Sequence, residues 1–171
     1  MSNDSIRTAI QGAVEYLTDH PGDARATDSF ATATIEEGLR CVVSGPDGAE
    51  THTDMVTAVG GANSAPSPGW LLRAATASCV ATLIAMKAAI EGLSLGAIEV
   101  TVDSESNDLG ILGIDDEVPA APSSVSVRVK LETTDGDAAK VEEIIRWADE
   151  HCPVTDLTRR EVPVTLETEI T

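Results

Sequence analysis

The stretch Ser67 to Cys79, SPGWLLRAATASC, opens the helix around which the rest of the chain is arranged. Ser67 can accept from the first free amides of a helix and Pro68 suits its first turn. From Trp70 to Ile90 there is then no glycine or proline, about five turns of helix. Its side chains are apolar nearly all round and small, with Ala74, Ala75, Ala77, Ser78, Cys79 and Ala81 in one patch. Such a helix belongs inside a protein, where small side chains let other backbones approach closely. The uncharged run lies between Arg73 and Lys87, which is too short for a membrane span. Cys79 is therefore an interior thiol, whose chemistry depends on what else reaches it.

Outward from this helix the pattern is mixed. Before it, Ile6, Ile10, Ala13, Val14 and Leu17 mark a one-sided helix over residues 4–17, which DHPGDARATD breaks. From Ala31 the periodicity becomes that of strands, and the turn Gly45-Pro-Asp-Gly48 joins 39–44 to 49–56 as a hairpin. A polar loop, Gly60 to Pro66, leads to the Ser67 cap.

After the helix, Ile98, Val100 and Val102 alternate with polar residues, as do Val125, Val127, Val129 and Leu131, giving two half-buried strands around an acidic loop, Ser104 to Pro122. Asp135 or Asp137 can cap a further helix, whose stripe is Val141, Ile144, Ile145, Ala148 and Cys152. Pro153 ends it, PVTDLTRR can start a short new one, and Val164, Leu166 and Ile170 are in phase for a last strand. Helices and strands do not alternate regularly, and hairpins are present. The fold class is α+β, a mostly antiparallel sheet wrapped around a long buried helix.

The 171 residues suit a single domain with its own core. A formal net charge of −18 repels phosphates and anionic lipid, which excludes nucleic acid and membrane surfaces as partners. The acid excess is spread along the chain and lysine is reduced to Lys87, Lys130 and Lys140, as in adaptation to a salt-rich cytoplasm. The first residues are too polar for a signal peptide, so a cytoplasmic location is expected. Three cysteines without a CxxC pair argue against a disulfide scaffold or a zinc ribbon, and no cofactor or metal is expected. Cys41 alternates into a strand as an ordinary core residue, and His20, His52 and His151 are expected at the surface.

The cysteine-bearing LLxAAxASC opening, followed much later by HCPV (His151 to Val154), resembles the OsmC/Ohr family of thiol-dependent hydroperoxide reductases. The match runs from about residue 30 to 171, leaving 1–29 as an appended helix and linker. The resemblance implies an intertwined homodimer with two active sites at the subunit interface. It places Cys79 at the peroxide-attacking thiol and Cys152 at the resolving thiol, with an organic hydroperoxide as substrate and a dithiol, a lipoyl-bearing protein or a small thiol, as reductant. Peroxidase members of the family carry a glutamate where this chain has Gly69, and an arginine from an earlier segment. Arg40 and Arg73 are the candidates for that arginine. Arg73 points roughly 120° away from Cys79 on the helix, so Arg40 is preferred. The alternative is a dimer without peroxidase activity that binds a small apolar or sulfur-containing ligand.

A thiol among alanines has its pKa raised, and attack on an O–O bond needs thiolate, so some cation or amide donor has to compensate at Cys79. Cys152 stands directly before Pro153 and is placed to cap a following helix.

Overall fold

The computed structural model describes residues 2–133 and 138–171. Asp135 and Asp137, the expected caps, lie outside the described residues. The elements are α1 (Asn3–Asp19), β1 (Thr32–Glu37), β2 (Arg40–Ser44), β3 (Glu50–Thr53), α2 (Pro68–Glu91), β4 (Leu95–Glu105), α3 (Asp108–Ile111), β5 (Ser124–Thr133), α4 (Ala138–Glu150) and α5 (Pro153–Arg159). The result is helices with two antiparallel sheets, β1-β2-β3 and β4-β5. The chain divides into two compact units, residues 8–74 and residues 1–7 with 75–171.

Within the first unit, the expected hairpin is present. β2 pairs with β3 from Cys41↔Thr53 to Ser44↔Glu50, and β1 lies on its other side. The turn over Pro46–Gly48 is held by Ala49 N donating to Pro46 O at 3.1 Å, with Asp47 and Gly48 both at positive φ. Ser67 caps α2 as its position suggests, its Oγ accepting from Trp70 N at 3.2 Å.

In the second unit, β4 and β5 match apolar residues across the ladder, Ile98↔Leu131, Val100↔Val129 and Val102↔Val127. These pack on a core of Val80, Ile84 and Ala88 from α2 with Ile144, Ala148 and Cys152. Thr76, Val80, Ile84 and Ala88 follow one another every four residues, so α2 buries a single stripe. The first turn of α1 is tied to the end of α2, Arg7 Nε donating to Ala89 O at 2.8 Å.

Helix α2 has the length and composition of a membrane span, as a core helix also can, and its buried stripe packs as a core helix does. Three expectations change. Only 17 % of its most apolar stretch is buried, so the all-round burial expected of it is not supplied by this chain's own described elements. The predicted last strand does not form. Residues 161–171 have no ladder partner among the described residues, leaving Val164, Leu166 and Ile170 exposed. The acidic loop contains the one-turn helix α3, because the Asn107 side chain accepts from Leu109 N at 3.0 Å.

Candidate functional site

Cys152 is the junction of α4 and α5. It is the last rung of the α4 stripe, after Ile144 and Ala148, and the residue that precedes α5. Pro153 breaks the first helix and, with its fixed φ, starts the second. Thr155, itself buried, locks the turn by donating to the carbonyls of Asp149 at 3.0 Å and Cys152 at 3.1 Å. The Cys152 sulfur is fully buried.

Cys79 enters the same core from the middle of α2, one residue before the buried Val80, and is half-buried. It packs against the cluster that contains Cys152. The two cysteines, far apart in sequence, thus lie together in the folded chain.

Their electrostatics differ. Burial, followed by the Cys152 sulfur as hydrogen-bond acceptor and by its charge, pushes the Cys79 thiol up to about 11, with only the Val154 amide opposing. Burial also works to raise Cys152, but the Thr155 amide, the Cys79 thiol and the Val154 amide outweigh it and hold Cys152 below the ordinary thiol value.

Arg40 lies in the other unit, at the start of β2. Its Nε donates to Glu36 Oε2 at 3.2 Å and its Nη1 to Ser64 Oγ at 3.0 Å. Ser64 Oγ donates onward to Asp54 Oδ2 at 2.7 Å, while the Ser64 and Met55 amides donate to the same carboxylate at 2.9 and 2.7 Å. Asp54 is only 2 % exposed, and these donors, the Ser64 amide and hydroxyl first, lower its pKa to about 2. A cavity of about 480 Å³ opens here, lined by Arg40, Asp54, Gly60, Gly61 and Ser64 among others. A side chain at Gly61 would strike the Met55 carbonyl, at 1.9 Å from the added carbon, so glycine is required for the loop to fold over Asp54.

Sequence reasoning missed Asp54, Ser64 and Thr155. The only sequence signal for the first two was an acidic residue and a serine bracketing a Gly-Gly loop.

Gly69 leaves the start of α2 without a carboxylate; the nearest groups to a carbon added there are Arg73 Nη1 at 3.8 Å and Ser67 Oγ at 3.9 Å. Cys41 is half-buried, its thiol 3.8 Å from the Val42 carbonyl. His20 and His151 are exposed, whereas His52 is half-buried on β3 opposite Val42, contrary to the surface position expected for it. Among the described residues there is no cluster of three metal-ligating side chains.

The family described as OsmC-like protein matches residues 61–167, more than half of the chain. No curated protein matches it. Among solved structures, it is similar to the OsmC-like protein of Mycoplasma pneumoniae, with a TM-score of 0.67 at 10 % identity over 79 % of this chain and 89 % of that one. It is also similar to an organic hydroperoxide resistance protein OsmC from Legionella pneumophila (TM-score 0.58, 21 % identity, 79 % of this chain and 91 % of that one). A third is an organic hydroperoxide resistance protein from Elizabethkingia anophelis (TM-score 0.58, 20 % identity, 79 % and 90 %). At these identities the likeness is one of fold.

Proposed function

This chain belongs to the OsmC-like protein family, and on that premise we propose that it is a thiol-dependent peroxidase that reduces organic hydroperoxides. The observation that carries the reading is the convergence of Cys79 and Cys152 on one core cluster. Cys79, the more accessible sulfur, attacks the peroxide and becomes a sulfenic acid. Cys152 displaces water from it to form a disulfide, which an external dithiol, of lipoyl or small-molecule type, reduces by exchange. Arg40 is the proposed cation of the site, its guanidinium oriented by Glu36 and by Ser64, which Asp54 holds in turn.

The working unit in this reading is a cytoplasmic homodimer. The open faces of α2 and the exposed, alternating Val164, Leu166 and Ile170 are apolar surfaces that a second copy can cover. The experiment is to supply cumene hydroperoxide with dihydrolipoamide and follow both: consumption of each in equal amounts supports the reading.

A second reading, a family member that binds a small apolar or sulfur-containing ligand without reducing peroxides, is favoured by one observation. Glycine stands where the peroxidases carry a glutamate, and the Cys79 thiol is strongly protonated. It predicts no consumption of hydroperoxide with any dithiol.

A further inference from the structure

We infer that the groove between β5 and helix α4 binds a small amphipathic monocarboxylate, its alkyl chain against the valines of the strand and its carboxylate on Arg146. The site goes beyond the peroxidase reading and does not rest on it, since this ligand class carries no peroxy group.

The groove has a volume of about 470 Å³, within the range in which proteins hold small molecules. Its apolar lining is Val125, Val127 and Val129, which a period of two puts on one face of β5, joined by Ile145 of α4 and the buried Val80 of α2. The polar residues of the strand, Ser126, Arg128 and Lys130, alternate onto its other face, where Arg128 pairs with Asp103 of β4. Val125 is 38 % exposed, and Val127, Val129 and Ile145 are half-buried, so apolar surface is left open along the groove.

The rest of the lining is charged. Glu142, Arg146 and Asp149 follow at i, i+4 and i+7 along α4, on one side of the helix. Arg159 of α5 is already engaged, its Nη2 donating to Asp149 Oδ2 at 2.6 Å and its Nη1 to the Asp149 carbonyl at 3.2 Å. Among the described residues, the other ion pairs of α4 and α5 are Lys140 with Glu91 and Glu143, and Asp156 with Arg160. Arg146 is in none of them, although Glu142 stands only one turn away. Its guanidinium keeps the fork of donors that matches a carboxylate in two parallel hydrogen bonds.

Charge decides between ligand classes. The chain carries 29 acidic side chains against 11 basic ones, so an organic cation finds a carboxylate almost anywhere on it, whereas an anion is held only where a cation is unengaged. A polyanion such as a nucleotide would meet Glu142, Asp149 and the net charge of the chain with one unengaged guanidinium to receive it. A single carboxylate asks for no more than Arg146 offers. The five apolar side chains beside it then select for an alkyl chain over a small polar acid.

The test is calorimetric titration of the full chain with octanoate, hexanoate, octanol and octylamine, in potassium chloride concentrated enough to screen the repulsion of an anion. Saturable binding of one octanoate per subunit is expected, roughly tenfold tighter than hexanoate for its two further methylenes, and tighter than octanol. Arg146→Gln should weaken octanoate roughly fivefold and leave octanol unchanged, while Glu142→Gln should strengthen octanoate. Val125→Phe, at the exposed side of the groove, should remove binding of octanoate and octanol alike, with a melting curve to show that the variant is folded. Octylamine binding more tightly than octanoate, equal octanoate affinity in the unaltered chain and Arg146→Gln, or binding that survives Val125→Phe would each overturn the inference. No binding of any of the four overturns it as well and leaves the groove to a second copy of the chain. Hydroperoxide consumption is measured separately on the same protein, so failure of either reading leaves the other standing.

Discussion

Cys79 packs against the core cluster that contains Cys152, where α2 meets the junction of α4 and α5. Their surroundings make the two cysteines chemically unequal. Burial raises Cys79, while the Thr155 amide, the Cys79 thiol and the Val154 amide overcome burial at Cys152. The predictions about chemistry come from that inequality, and those about stability from the charge and the uncovered apolar surface of the chain.

Cys79→Ser is expected to abolish hydroperoxide reduction, since the other sulfur of that core, Cys152, is sealed from the peroxide. Cys152→Ser should stop after a single oxidation, leaving a sulfenic acid at Cys79 that overoxidises with more peroxide. Product alcohol per subunit, counted by chromatography, checks both. Several turnovers by Cys152→Ser in the absence of added thiol would remove Cys152 from the mechanism.

Asp54 gives a pH dependence whose sign is fixed. Its folded pKa, about 2, lies below the unfolded carboxyl value. The stabilisation is therefore present above the unfolded value and is lost as pH falls through the folded one. Asp54→Asn should lower the melting temperature at neutral pH, because its amide turns a donor toward the Ser64 and Met55 donors, and should flatten the acid limb of the stability curve. Melting curves for the two proteins from neutral to strongly acidic pH are the check, and identical acid limbs would show that Asp54 does not carry the effect.

A lone subunit leaves α2 mostly uncovered, so a dimer at micromolar concentration in high salt is expected. Removing residues 161–171 should weaken it, as Val164, Leu166 and Ile170 are more than four-fifths exposed within one chain. Sedimentation velocity measures both, and a folded monomer of the full chain would refute the dimer.

The net charge of −18 repels itself. The melting temperature should rise from low to multimolar potassium chloride as that repulsion is screened. A salt-independent melting curve would remove the halophilic reading.

Features encoded locally were legible in the sequence. The Ser67 cap, the Gly45–Gly48 turn and the matched alternations of β4 and β5 each depend on neighbours a few residues away or on a period of two, and each took the expected form. Cys152 as the residue before α5 followed from Pro153 alone. Non-local pairing was not legible in this way. Alternation at Val164, Leu166 and Ile170 says which side chains share a face but not whether a sheet edge is available, and among the described residues none pairs with them. The Arg40–Ser64–Asp54 chain joins residues from a strand and a loop that nothing in their spacing brings together. The meeting of Cys79 with Cys152 was suggested by family resemblance and not by any pattern in the residues between them.

The most direct measurement is peptide mapping by mass spectrometry after one equivalent of cumene hydroperoxide, without reductant. The account predicts one new disulfide, Cys79 to Cys152 within a subunit, with Cys41 unchanged and one alcohol released per bond. Both cysteines recovered as free thiols with the hydroperoxide unconsumed, or a disulfide that joins Cys41 instead, would contradict it.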